Sequence, residues 1–467
     1  MKGITTTFLF LFSVSIAVHA SVLKCCDTAY RGQSFELFIQ SDPITGNDSV
    51  VAHVFFDDNG CFNTEVNLSE TYMVYAYAGV YRIYFFVEPG KEYQVVMPPY
   101  RPKTEADLIN PFFKPVEVHL ATQVFNETEL NMQLRMFNDA FLPYFNKHVD
   151  KIFTDNDFET LDKDIAQIDK PFSKSKNSFF NDYRNYKYGL LRMYAYQHKS
   201  KAISDQYFKN MPFLYNNPAY IELFNKVYDG YFTYFSRADE QKSLSLALLS
   251  ERTSEAVCKA LRADEVLQPA ELLNMVMLKG LHDEFYNDTY ARNSLLEVLS
   301  DFIKTSSDPI QVGIARKIYL KVTRLLAGYQ PPGFILFDKD SNMVSPDNFK
   351  GKYLYLNFCA CFSYSCLNEF VMLQRLYEKH NQYLEIVTVI VDEDVEAMKD
   401  FVKRSGYSWV FLHFDRQPQV LRDYDIRALP TYFLIGPDGK LVMSPAASPA
   451  EEFEARLFKE LKAKGML

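Results

Sequence analysis

The stretch NFCACFSYSCLNEF, residues 357–370, decides how this chain folds. It overlaps the end of KYLYLNF (352–358), a continuous apolar run that reads as a buried central strand. Cys366 then falls in the first turn of a helix expected to run to about Lys379. Further on, EIVTVIVD (385–392) reads as the next central strand and DVEAMKDFVKRSG (394–406) as the next helix, closed by Gly406. TYFLIGPDGKLVMS (431–444), preceded by Pro430, reads as an antiparallel hairpin turning at Asp438-Gly439, and residues 448–464 as a closing helix. This order is the layout of a dithiol redox site, which needs Cys-x-x-Cys. Here the four residues are Ser363-Tyr364-Ser365-Cys366, so a hydroxyl stands where the attacking thiol belongs.

Working outward, the N-terminus reads as a leader. Met1-Lys2 is a short basic start, Ile4 to Val18 is mostly apolar, and Val18-His19-Ala20 offers a cleavage site after Ala20. The apolar run is short of the ~20 residues a membrane span needs. Export to a periplasmic or other extracytoplasmic compartment is the expectation. Cys25 and Cys26 raise a lipid anchor as an alternative, which Leu23-Lys24 fits poorly. No later stretch reads as a membrane span. With 59 acidic and 50 basic residues the net charge is -9, and no Lys/Arg block suggests a nucleic-acid partner.

Residues 21–100 carry short β-branched and aromatic runs: FELFIQ (35–40), VVAHVFF (50–56), TYMVYAYAG (71–79), VYRIYFFVEPG (80–90) and YQVVMP (93–98). Turn signals at Asp57-Asp58-Asn59-Gly60 and Glu88-Pro89-Gly90 separate them, which predicts a small antiparallel sandwich or barrel. In an oxidising compartment Cys61 is free to pair with Cys25 or Cys26. Residues 101–126 read as an irregular linker. From 127 to 326 the apolar period becomes helical; Leu134, Met136, Phe137, Phe141 and Phe145 fall near one face. Further helices are expected over 156–172, 178–197, 216–235, 268–285, 292–304 and 309–326, with a break at PFLYNNP (212–218). Cys258 reads as a small buried hydrophobe. His282-Asp283-Glu284 reads as a solvated helix face, because no matching ligand pair accompanies it. No cofactor motif occurs.

The segment 330–467 resembles the thioredoxin-like domains of exported TlpA/ResA-type thiol-disulfide oxidoreductases. FKGKYLYLNF, Cys366 with Glu369 three residues on, and YDIRALPTYFLIGPDGK carry the resemblance. By layout, the whole chain is similar to multidomain thioredoxin-family proteins of Bacteroidetes. The resemblance implies a C-terminal α/β thioredoxin-like fold behind a β-sandwich-like domain and a helical domain. It implies that Pro430 is the family's cis-proline, with the Leu429 backbone as an edge for an extended substrate chain. Cys366 then corresponds to the resolving cysteine, and Asn357 and Glu369 to polar positions behind the site. Ser363 replaces the attacking cysteine, Phe362 the usual tryptophan, and Tyr364-Ser365 the usual Gly-Pro.

A serine hydroxyl at a helix start stays protonated and forms no disulfide, so ordinary dithiol exchange is lost. The expected function is therefore that of a degenerate module holding a protein or peptide partner. The alternative is an oxidoreductase working through Cys366 and Cys361. A thiol peroxidase follows from the likeness of Ser363-x-x-Cys366 to the Thr-x-x-Cys of peroxiredoxins. Serine chemistry at Ser363 would require a base, and His413 is the one residue considered for it.

Overall fold

The computed structural model describes residues 19–110, 112–155, 158–195, 200–239, 241–287, 289–392 and 394–466. The expected leader lies outside the described residues except for His19 and Ala20, which begin the first strand. The chain forms two compact units. One runs to Pro102 and resumes over Pro115–Lys317; the other joins Lys103–Lys114 to Ile318–Leu467.

In the first unit two sheets share one apolar core. Its strands are β1 (His19–Cys26), β2 (Ser34–Gln40), β3 (Asp48–Phe55), β4 (Cys61–Leu68), β5 (Tyr72–Ala78), β6 (Tyr81–Val87), β7 (Glu92–Val96), β8 (Val116–His119) and β9 (Ala121–Thr122). Their orders are β4-β1-β7-β9 and β3-β2-β5-β6-β8. The expected linker 101–126 differs from the sequence reading: it holds a short helix, Glu105–Ile109, and both β8 and β9. Those two strands are too short to show a period, and they form by pairing with β6 and β7. Strands β1 and β4 also escaped the sequence reading; in β4 half the side chains are polar, at Asn63, Thr64, Glu65 and Asn67.

Cys26 and Cys61 are disulfide-bonded. Register chooses between the two candidates: Cys26 lies directly opposite Cys61, whereas Cys25 points to the other face and is buried in the core.

The helical part begins with Leu130–Asp155. Its Leu134, Phe137 and Phe141 are buried as the period demands, but Met136 is 39% exposed and leaves that face. Asn131 binds helix to sheet. Its Nδ2 donates to the Phe86 carbonyl at 2.8 Å, and its Oδ1 accepts from the Phe86 N–H at 2.7 Å. The side-chain amide thus completes β6 beyond the end of its pairing with β8. The expected helix 216–235 is two helices, Pro218–Val227 and Tyr231–Ala238, parted at Gly230 with φ 58°. Cys258 is half-buried, not core, with its thiol near Asn274 Oδ1. His282 is not solvated: it bonds Asp283 at 3.0 Å beside buried Lys279.

The second unit is a seven-stranded sheet with helices on both faces. Strands β10 (Leu336–Asp338), β11 (Met343–Val344), β12 (Tyr353–Cys359), β13 (Leu384–Ile390), β14 (Val410–His413), β15 (Thr431–Ile435) and β16 (Leu441–Ala446) take the order β11-β10-β14-β13-β12-β15-β16. Every residue of β12 is buried. Tyr353, Tyr355 and Cys359 face one core, and Leu354, Leu356 and Phe358 the other. That two-sided burial is why KYLYLNF is apolar throughout. Strands β12, β13 and β14 are parallel; β15 and β16 turn back antiparallel. Among the described residues no helix is long and apolar enough to cross a membrane.

Candidate functional site

The site helix, Tyr364–His380, starts where β12 ends. Ser363 is its N-cap, in extended geometry at φ -77° and ψ 119°. A serine there ordinarily accepts from a backbone N–H of the first turn. This one makes no such cap bond; its hydroxyl is instead among the groups that favour the Cys366 thiolate. At the other end Lys379 and His380 both reach Glu454, tying the site helix to the closing helix Phe453–Ala463.

Cys366 is the third residue of the helix and is fully buried. Its pKa falls from the ordinary 9.0 to about 7. The Cys359 thiol donating to it is the largest cause; the Ala360 N–H, 3.4 Å away, and the Ser363 hydroxyl add to the effect against the cost of burial. Cys359 behaves oppositely. Burial pushes its thiol far up, and the adjoining Cys366 pushes further, so it keeps its proton.

Cys361 lies past the strand end, half-buried. Its N–H donates to Asp392 Oδ2 at 2.7 Å. Burial raises its thiol pKa, and the hydrogen bond to the Asp392 carboxylate raises it more. Asp392 is 5% exposed, and its Oδ1 has no hydrogen-bond partner. The structure therefore sets Cys359, rather than Cys361, against Cys366. Strand alternation carries that signal: Tyr355, Asn357 and Cys359 all face the site helix. The sequence reading set Cys366 only against Cys361, and so passed over this pair. Asp392 and Tyr432 were also missed, since both meet the site only through β13 and β15.

Of the two polar positions behind the thiols, Glu369 accepts from the Tyr432 hydroxyl, and burial raises its pKa. Asn357 is fully buried; its Nδ2 donates to the Val387 carbonyl at 3.3 Å, while its Oδ1 has no partner. The Leu429–Pro430 bond is cis, and both residues are half-buried. Thr431 pairs with Phe358, which brings Pro430 beside the Cys359 end of β12. Phe362 and Tyr364 stand out from the surface, 81% and 79% exposed. His413 is occupied: its Nε2 meets the Asp392 carbonyl at 2.8 Å, and its Nδ1 accepts from the Asp415 N–H at 3.0 Å. It has no nitrogen left to serve as a base for Ser363. Among the described residues no His, Cys, Asp and Glu side chains gather as a metal site.

The Redoxin family model matches residues 326–455. The thiol-disulfide oxidoreductase ResA of Bacillus subtilis is 40% identical over 118 residues, 25% of this chain and 64% of that protein. The chain thus spans just under two thirds of that relative. ResA of Geobacillus thermodenitrificans is 31% identical over 129 residues, 27% of this chain and 74% of that protein. The thioredoxin domain of a thiol-disulfide oxidoreductase from Bacteroides vulgatus aligns at 24% identity and a TM-score of 0.27, over 29% of this chain and 98% of that one. Through this C-terminal Redoxin domain, with its departure from the usual cysteine spacing, the chain belongs to the ResA/TlpA-like thioredoxin family.

Proposed function

We propose that this is an exported, multidomain thioredoxin-like protein of the Bacteroidetes type that holds an extended protein or peptide partner and performs little dithiol exchange. One observation carries the reading. The residue at the solvent side of the site is Ser363, while Cys359 and Cys366 expose no surface to a protein disulfide. Phe362 and Tyr364 supply exposed aromatic surface beside it, as partner-binding sites favour. Leu429 and Pro430 offer the neighbouring backbone edge. Export is supported by the leader-like start and by the Cys26–Cys61 disulfide, a bond that persists in oxidising compartments.

A second reading, an oxidoreductase using Cys366 with Cys361, is favoured by the depressed Cys366 pKa alone. Reductase turnover of the native protein, S363C and C366A separates the two. The expected result is little turnover in the native protein, a rise of at least about tenfold in S363C, and none in C366A. Extended peptides should bind the native protein, and bind more weakly when Phe362 and Tyr364 are both alanine. Native turnover equal to that of S363C would reject the binding reading.

A further inference from the structure

Two of the buried thiols have no part in polypeptide binding, and their placement is specific. Cys359 closes β12 on the face under the site helix. Cys366, in the first turn of that helix, points back at it. Both sulfurs lie in one apolar cluster, and the N–H of Ala360, the residue next to Cys359, comes within 3.4 Å of the Cys366 sulfur. The Ala360 N–H donates to the Cys366 sulfur, and the Ser363 hydroxyl also favours that thiolate. Cys361, the third cysteine, meets Asp392 through its backbone N–H, and that carboxylate helps hold its thiol protonated.

We infer that Cys359 and Cys366 are a reversible dithiol couple of this protein, closed by a small hydroperoxide rather than by a protein disulfide. This goes beyond the binding reading and does not depend on it. Burial sets the size of the oxidant. Neither sulfur has exposed surface, so a disulfide on a folded partner cannot meet one, whereas a peroxide is little larger than water. Half-buried Ser363, the N-cap of the helix that carries Cys366, is the nearest partly exposed residue of the motif on that side.

The chemistry balances in two steps. The Cys366 thiolate attacks one peroxide oxygen and the O–O bond breaks; the departing oxygen leaves as water, taking up the proton that Cys366 released. Cys366 is then a sulfenic acid. The Cys359 sulfur attacks the Cys366 sulfur, the S–O bond breaks, and the hydroxyl leaves with the Cys359 proton as a second water. Two thiols are oxidised to one disulfide, and one peroxide is reduced to two waters. An added dithiol reverses the change by exchange once the peptide is freed from the fold.

The test uses the full-length protein, reduced and then treated with one equivalent of hydrogen peroxide. Free thiols are blocked, and the mass of the peptide holding all three cysteines is read. The native protein and C361S should each lose two hydrogens from that peptide and regain them with dithiothreitol. C359S should instead keep oxygen on Cys366, and C366S should show neither change. Should C359S fail to fold, fragment masses on either side of Ala360 in the native peptide identify the partner directly. A link that survives in C359S and vanishes in C361S overturns the inference, as does a native protein that gains only oxygen. Since the experiment reads oxidation alone, its failure leaves polypeptide binding untouched, and weak peptide binding leaves the couple untouched.

Discussion

Three groups, Cys359, the Ala360 N–H and Ser363, draw the Cys366 thiol pKa down from 9.0 to about 7. Each favours the thiolate, and together they outweigh the cost of burial. Titration by ultraviolet thiolate absorbance should therefore show one thiol ionising near pH 7, lost in C366S. S363A removes one donor and should move that midpoint upward. A first thiolate appearing only near pH 9 in the native protein would contradict this account. The same shift bears on stability. Folding lowers this pKa, so ionised Cys366 favours the folded state fully above its ordinary value of 9.0, and the contribution is lost as pH falls through about 7. The rise in unfolding free energy between those two values should flatten in C366S, as denaturant titrations across that interval can measure.

At the scale of elements, close helix packing depends on two glycines that differ in kind. Gly280, in the helix Ala270–Glu284, lies against Phe232: a β-carbon there would come within 2.2 Å of the ring. Phe232 is fully buried and cannot turn aside, so G280A should destabilise by about 1–3 kcal/mol through overpacking. Gly189, in the helix Ser178–Ala195, meets chiefly the far end of Leu223 at 2.5 Å. That methyl can shift, and alanine gains roughly 1 kcal/mol of helix propensity over glycine. G189A should thus be the milder of the two. Urea unfolding of both variants decides the order, and equal losses would show that the Phe232 ring yields as readily as the Leu223 methyl.

For the whole molecule, the Cys26–Cys61 bond fastens β1 to β4 across 35 residues of chain. Closing such a loop is worth about 2–4 kcal/mol. The C26S/C61S pair should lower the unfolding free energy of its unit by that amount, while peptide binding and the Cys366 titration stay as they are. A change in the Cys366 titration in that variant would mean the disulfide acts on more than β1 and β4. The native protein tests compartment: if the bond does not form where the protein resides, reduced Cys26 and Cys61 will both take up a thiol-specific label.

Much of the C-terminal fold was legible in the sequence because the signals there are local. KYLYLNF had to be buried on both faces, Gly406 had to end a helix in the left-handed region at φ 69°, and Asp438-Gly439 had to turn a hairpin. The departure from Cys-x-x-Cys at Ser363 was legible for the same reason, since it depends on one residue and its spacing. Pairing was not local. The choice of Cys26 over Cys25, the strands hidden in 101–126, and the meeting of Cys359 with Cys366 all follow from register and strand alternation between distant segments. Asp392 reached Cys361 only because β13 runs beside β12. The sequence by itself determined that a serine, Ser363, stands three residues before Cys366. Only the tertiary structure decided which sulfur faces which, because hydrogen-bond geometry and burial exist only once the sheet has brought its strands together.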